Sequence, residues 1–483
     1  MQVHKVEDEG NEILHFKHIL KGCQDVVFYD LEILDKEGAK IPVSLIYCFA
    51  MVDTDNLRQA FLPKLLKEGA DLLENVEGNS KECGNFMLKV IPLESEKSQI
   101  FQALFSGNVI LLIKGYNYAY VCDLSKLPMR QPEESTMEVS LKGPRDGFVE
   151  DLWTNITLIR RRLKTPDLQC ETLVLGRESQ TTVTFMYVGS MADHNVIDKA
   201  RKNLQAIDVV TVDSSTQIES LMSSRKVTLV PLVEHTGRPD YAAAALMTGR
   251  FAVVVDGNPS VIMGPADLAL LIKSPEDLHM PFFFVTLERL LRFIGLFISV
   301  FAPSFWVALC AFHPDQIPFT LLATVTISRI GLPLSTTMEM FLMLGMFELF
   351  REAGIRLPKA VGQTVTVVGG LIVGDAAISA GLTSPTMLVV AAVSAVASFT
   401  LVNQVLNGSV SILRIYMLVF SAVLGMLGFF LGLFSIIVYL CSLESYGQSY
   451  MAPLSTMQFR LWPKSFIQLP WGKRRGKKER YNE

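Results

Sequence analysis

Residues 293–312, FIGLFISVFAPSFWVALCAF, run for twenty positions without a charge. A helix of that length rises about 30 Å, the thickness of a bilayer's hydrocarbon core. Apolar runs recur in QTVTVVGGLIVGDAAISAG (363–381), which holds the single charge of Asp375, and in the charge-free PTMLVVAAVSAVASFTLV (385–402) and IYMLVFSAVLGMLGFFLGLFSIIVYL (415–440). Hydrocarbon offers no water to backbone polar groups, so such segments fold as helices that close their own hydrogen bonds. Four spans are expected; 415–440 is the clearest, and 363–381 with 385–402 reads as a tight hairpin whose Gly, Ala and Ser permit close approach. Residues 1–287, in contrast, carry charges throughout. The chain of 483 residues is 19% charged, short of the roughly 25% of a soluble protein.

Between the first and second spans lies FTLLATVTISRIGLPLSTTMEMFLMLGMFELF (319–350), apolar but interrupted by Arg329, Pro333, Glu339 and Glu348. Such a broken segment crosses, or dips in and returns, only where protein or water shields it. Five crossings would leave the C-terminus outside and four would leave it inside. Arg289 and Arg292 favour the cytoplasmic side for the start of the first span. The basic tail GKRRGKKER (472–480) either meets anionic headgroups or is simply solvated.

The N-terminal region contains a repeat. SLIYCFAMVDTDNLRQA (44–60) aligns without gaps to TFMYVGSMADHNVIDKA (184–200), matching Tyr47 with Tyr187, Met51 with Met191, Asp53 with Asp193 and Ala60 with Ala200. Each block reads as a strand, a loop with an aspartate, then an amphipathic helix. SGNVILLIKGYNYAYV (106–121) aligns to TGRFAVVVDGNPSVIM (248–263), with Gly107 on Gly249 and Gly115 on Gly257. The second glycine of each block falls in a strand–turn–strand, where positive φ is often required. The expected fold class is α/β plus membrane α: two related α/β soluble subdomains (1–141 and 142–287), a four- or five-helix transmembrane domain (288–443) and a polar basic tail (444–483). Asp146 or Asp151 is expected to cap a helix ending at Arg160, Arg161 and Arg162, whose charges suit its C-terminal end.

Several classes of function find no support. The net charge is −4, which gives no general case for nucleic acid. The seven cysteines are scattered with no CxxC pair, so neither a disulfide framework nor a zinc site is indicated. His15 and His18 stand three apart but lack a third ligand. No phosphate loop, HExxH or GxSxG is present, and no cofactor is implied. The opening MQVHKVEDEGNEILHFKHIL lacks an apolar signal core, so the N-terminal region is expected in the cytoplasm.

Within LIVGDAAISAGL (371–382) stands one carboxylate, Asp375. A charge at mid-bilayer costs at least about 2.5 kcal/mol on insertion scales, so lipid exposure is disfavoured. Asp375, Glu339 and Glu348 are candidate pore or intramembrane polar residues, since rings of carboxylates select cations in an oligomer. The alternative is structural: Asp375 fixes helix packing, and Glu348 pairs with Arg351 at i, i+3.

Several stretches resemble the A subunit of GerA-type spore germinant receptors. They include KGPRDGFVED (142–151), SPEDL (274–278), FHP (312–314), FELFREAGIRLPKAVGQT (347–364) and SLESYGQSYMAP (442–453). The resemblance implies a multi-pass subunit of the spore inner membrane, its N-terminal region on the core side. It implies a transporter-like B subunit and a lipoprotein C subunit as partners, with homo-oligomerisation into a nutrient-gated ion channel. Arg145, Asp146, Arg351, Glu352, Arg356 and Gln363 fall in its motifs as structural or inter-subdomain residues. The sequence departs from the pattern at Gly237 of GRPD, usually glutamate, at Leu344, usually acidic, and at Asp375, usually glutamine. A stage V sporulation AF-like amplifier is the alternative, favoured by RQPEE (130–134) and RDGFVE (145–150); a stand-alone transporter is a further one, weakened by the lack of an inverted repeat.

Overall fold

The computed structural model describes residues 11–34, 39–68, 80–83, 86–93, 97–126, 140, 142–223, 225, 228–356, 374–452 and 467–468. The chain divides into two compact units. One comprises 1–226 and 233–265 with the extreme C-terminus, the other 227–232 and 266–475.

The first unit holds two sheets. Strands β1 (Val26–Leu34), β2 (Lys40–Cys48), β3 (Ser80–Cys83), β4 (Phe86–Pro92), β5 (Asn108–Ile113) and β6 (Tyr118–Asp123) order as β1-β2-β5-β6-β4-β3. Strands β7 (Leu168–Leu175), β8 (Thr181–Val188), β9 (Glu234–Thr236), β10 (Phe251–Val255) and β11 (Val261–Gly264) order as β7-β8-β10-β11-β9. Matching β1 to β7, β2 to β8, β5 to β10, β6 to β11 and β4 to β9 gives one order, and the aligned blocks fall on equivalent strands. The α/β expectation needs one correction: every pairing is antiparallel. Neighbours close in sequence, such as β5 with β6 and β10 with β11, pair as hairpins, and the longer connections from β2 to β5 and from β8 to β10 also bring their strands together antiparallel.

The repeat's residues show why both halves fold alike. Asp53 caps its helix by accepting from the Asn56 amide at 3.2 Å, and Asp193 accepts from the Asn195 amide at 2.9 Å. Gly115 (φ 84°) and Gly257 (φ 77°) turn the β5–β6 and β10–β11 hairpins. A Cβ at either would meet nothing within 4 Å, so backbone conformation alone selects glycine there. The first sheet is covered on both faces, which explains the unbroken apolar run of β5. Leu111 and Ile113 pack with Phe61 and Leu65, while Ile110 and Leu112 pack with Leu104 and Phe105.

The phenols of Tyr120 and Tyr187 are both pushed up to about 12, chiefly because burial disfavours phenolate. An unfolded tyrosine titrates near pH 10, at about its reference value. Their contribution to stability is therefore fully present below pH of about 10 and is lost as the pH rises through about 12. Tyrosinate absorbance should lag in the native protein and rise together with loss of near-ultraviolet dichroism. Free titration of all tyrosines near pH 10, about the reference value, would contradict the burial argument.

The second unit is helical. Among the described residues two helices are long and apolar enough to cross a membrane by length and composition, Phe282–Phe312 and Gln404–Ser442. The first runs on through Pro303. Proline cannot donate to the carbonyl four residues back, and that carbonyl, on Ser299, instead accepts the Ser394 hydroxyl at 3.0 Å. Gly295 lies close against the same neighbour, where a Cβ would stand 2.3 Å from Thr400 Oγ1. Arg289 and Arg292 bind Asp277 of the SPEDL turn at 2.7 and 2.9 Å.

Gln404–Ser442 overturns the expectation of one clear span over 415–440. Gly425 takes φ 59° and ψ −135°, outside any helix. The Tyr416 hydroxyl lies 2.6 Å from Ser435 Oγ, whereas nineteen residues of straight helix would separate them by about 28 Å. The chain reverses at Gly425 into two antiparallel arms, with Gly428 packed on Phe420 and Gly432 on Met417. Hydropathy is blind to this reversal, because a glycine in an apolar run raises no signal.

The broken segment is two helices, Phe319–Ser328 and Thr336–Arg356, separated at Arg329, Gly331 and Pro333. Of the expected hairpin, Gly374–Ser379 and Pro385–Ser398 are described, while 363–373 lies outside the described residues. Residues 444–449, expected to open a polar tail, form a small hairpin whose Ser445 hydroxyl donates to the Leu232 carbonyl at 2.7 Å.

Candidate functional site

The charges of the helical unit are placed by its turns. Glu339 stands in the first turn of Thr336–Arg356 and is fully buried. Its Oε1 lies 3.2 Å from Arg329 Nη2, and its Oε2 accepts the Ser384 amide at 3.1 Å. Ser384 in turn caps Pro385–Ser398 through its hydroxyl. One carboxylate therefore ties the break after Phe319–Ser328 to the turn before Pro385–Ser398. A buried pair of this kind is costly to break from one side.

Glu348 and Arg351 form the i, i+3 pair at 2.6 Å. Glu352 is exposed and engaged by a neighbour. The Arg356 side chain and Gln363 lie outside the described residues. Leu344, where an acidic residue is usual, packs in an apolar cluster with Val307, Met343 and Leu418. A carboxylate there would be buried among hydrocarbon, so leucine suits this packing.

Asp375 is exposed on Gly374–Ser379 and pairs with no described residue, while Gly374 beside it is buried against Leu388. Two of the three candidate carboxylates are matched by arginines and the third faces outward.

In the first unit Asp151 caps Leu152–Arg160 by accepting from the Thr154 amide at 2.7 Å. Asp146 instead takes Arg162 in a bidentate pair at 2.6 and 2.7 Å. Arg145 is exposed and engaged. In GRPD, Arg238 is buried and holds Asp240 at 2.7 Å, and Gly237 accepts the Phe148 amide through its carbonyl at 2.9 Å.

Two features escape a reading of the sequence. Arg160, placed above as a helix-end cation, is buried and forks onto Asp25 with both bonds at 2.8 Å. It also donates to the Thr165 carbonyl at 3.0 Å and lies over the Phe105 ring. Burial opposes its charge, but the Asp25 carboxylate outweighs that and holds the guanidinium charged. The thiols of Cys23, Cys48 and Cys170, which cluster around this pair, are pushed up by burial and stay protonated. The second feature is Arg414, the one charged residue within Gln404–Ser442, which is 3% exposed. The signal that would mark it is a lone cation beside an apolar run.

A family model described as Bacillus/Clostridium GerA spore germination protein matches residues 14–480. The chain is 39% identical to Spore germination protein XA of Bacillus anthracis, over 93% of this chain and 92% of that one. It is 34% identical to Spore germination protein KA of Bacillus subtilis (strain 168), over 96% and 84%. The chain is also similar to the N-terminal domain of the A subunit of the Bacillus megaterium spore germinant receptor GerK3, at 25% identity and a TM-score of 0.39, covering 55% of this chain and 98% of that one. From a match that takes in nearly the whole sequence, the chain belongs to the GerA family of spore germination proteins.

Proposed function

We propose that this chain is the A-type membrane subunit of a germinant receptor, which helps convert nutrient sensing into ion release. It works beside a transporter-like B subunit and a lipoprotein C subunit in the spore inner membrane. Its helical unit makes four or five crossings. Copies of the chain assemble so that their outward carboxylates share one polar path.

The observation that carries this reading is Asp375, exposed on an apolar helical unit. Facing lipid it would cost at least about 2.5 kcal/mol, a cost removed if a second copy or a water-filled axis lies opposite. Glu339 and Glu348 hold arginines in this reading and set the bundle rather than the path. Spores carrying Asp375→Asn should release monovalent cations several-fold more slowly at normal protein level. Release of unchanged rate and selectivity would remove Asp375 from the path. A spore-former lacking the chain should fail to germinate with at least one amino acid or sugar, and normal germination with every one would overturn the receptor reading.

A further inference from the structure

The first arm of the reversed helix carries Asn407, Arg414 and Ser421 at i, i+7 and i+14, which is one helical face. Among the described residues, Asn407 Oδ1, Arg414 Nε and Nη2, and Ser421 Oγ are all buried without a hydrogen-bond partner. The stripe extends over about 21 Å of helix. Unsatisfied polar groups repeated at this period are not scattered defects. Each is a buried group whose partner the described side chains do not supply.

Arg414 is the decisive member, because a guanidinium is always charged and always needs acceptors. The charges acting on it are Glu348 and Arg351, and those two already bind one another. The three sum to +1. The rest of this unit's sequence, position 227 with 357–373, 453–466 and 469–475, contains no aspartate or glutamate. The chain therefore supplies no carboxylate for Arg414 from within this unit beyond the one that Arg351 holds.

We propose that Arg414 binds a small monovalent inorganic anion inside the helical unit, between the first arm and Thr336–Arg356. The guanidinium supplies the charge and the free N–H donors of Nε and Nη2. Water along the Asn407–Ser421 face hydrates what the anion does not reach. The site does not rest on the ion-release reading, and its test involves no flux.

The test uses the full-length protein in lipid nanodiscs, with sodium chloride exchanged for sodium gluconate at constant ionic strength. Chloride should raise the thermal unfolding temperature in a saturable way, as any ligand selective for the folded state does. Arg414→Gln should weaken the apparent chloride affinity by about tenfold or more, since a charge-assisted bond is lost. Because that variant could fail to fold, Glu348→Gln serves as a second arm. It raises the local charge to +2 and should tighten chloride binding several-fold. The proposal is overturned by a chloride effect that survives Arg414→Gln, by one that Glu348→Gln weakens, or by no chloride effect in the wild type. Stabilisation that follows protein concentration instead of chloride would assign the counter-charge to a second copy, and would equally overturn it.

Discussion

Arg160→Ala is expected to destabilise the first unit by about 3–5 kcal/mol, because it leaves the Asp25 carboxylate buried without a partner. The guanidinium side chain is 1% exposed and the carboxylate 3%, so water cannot replace either at low cost. The pair spans 135 positions of sequence and joins the segment before β1 to the helix that precedes β7. Its loss should loosen the two sheets from one another as well as lower stability. Urea unfolding of the full-length protein in detergent, followed by near-ultraviolet dichroism, measures the effect. The double variant Asp25→Leu with Arg160→Met should recover most of the loss, since apolar residues of similar volume often replace buried pairs without penalty. A single-variant loss below about 1 kcal/mol would show that the pair acts like a surface bridge.

Gly425→Ala carries the second large expectation. The position lies at φ 59°, and an added Cβ would stand 2.7 Å from the Phe312 ring. A backbone forced into such a region costs about 1–3 kcal/mol, and overpacking adds about 1–3 kcal/mol more. The arms should then splay or straighten. Cysteines at positions 416 and 435, joined by a short thiol-reactive crosslinker, report this directly. Efficient crosslinking in the otherwise native protein and its loss in Gly425→Ala is the expected pair of results. Absence of crosslinking in the native background would mean that no reversal exists.

The features that the sequence exposed were those with a local cause. Asp53 and Asp193 precede amphipathic helices, and each caps its own. Gly115 and Gly257 sit between apolar runs, and both turn hairpins. Glu348 and Arg351 stand three apart, and they pair. What stayed hidden depends on distance or on backbone angle. Arg160 reads as a helix-end cation because nothing nearby announces Asp25. Glu339 reads as a free intramembrane acid because its partners, Arg329 and Ser384, arrive from two different turns. The reversal at Gly425 leaves no trace in hydropathy, and the antiparallel pairing of both sheets leaves none in an alternating pattern of strands and helices.

The reversal at Gly425 also fixes a parity. Whatever layer the two arms enter, a returning pair adds an even number of passes, so Asn403 and Ser442 emerge on the same face. Labels attached to those two positions must then report like accessibilities, whichever way round the protein is inserted.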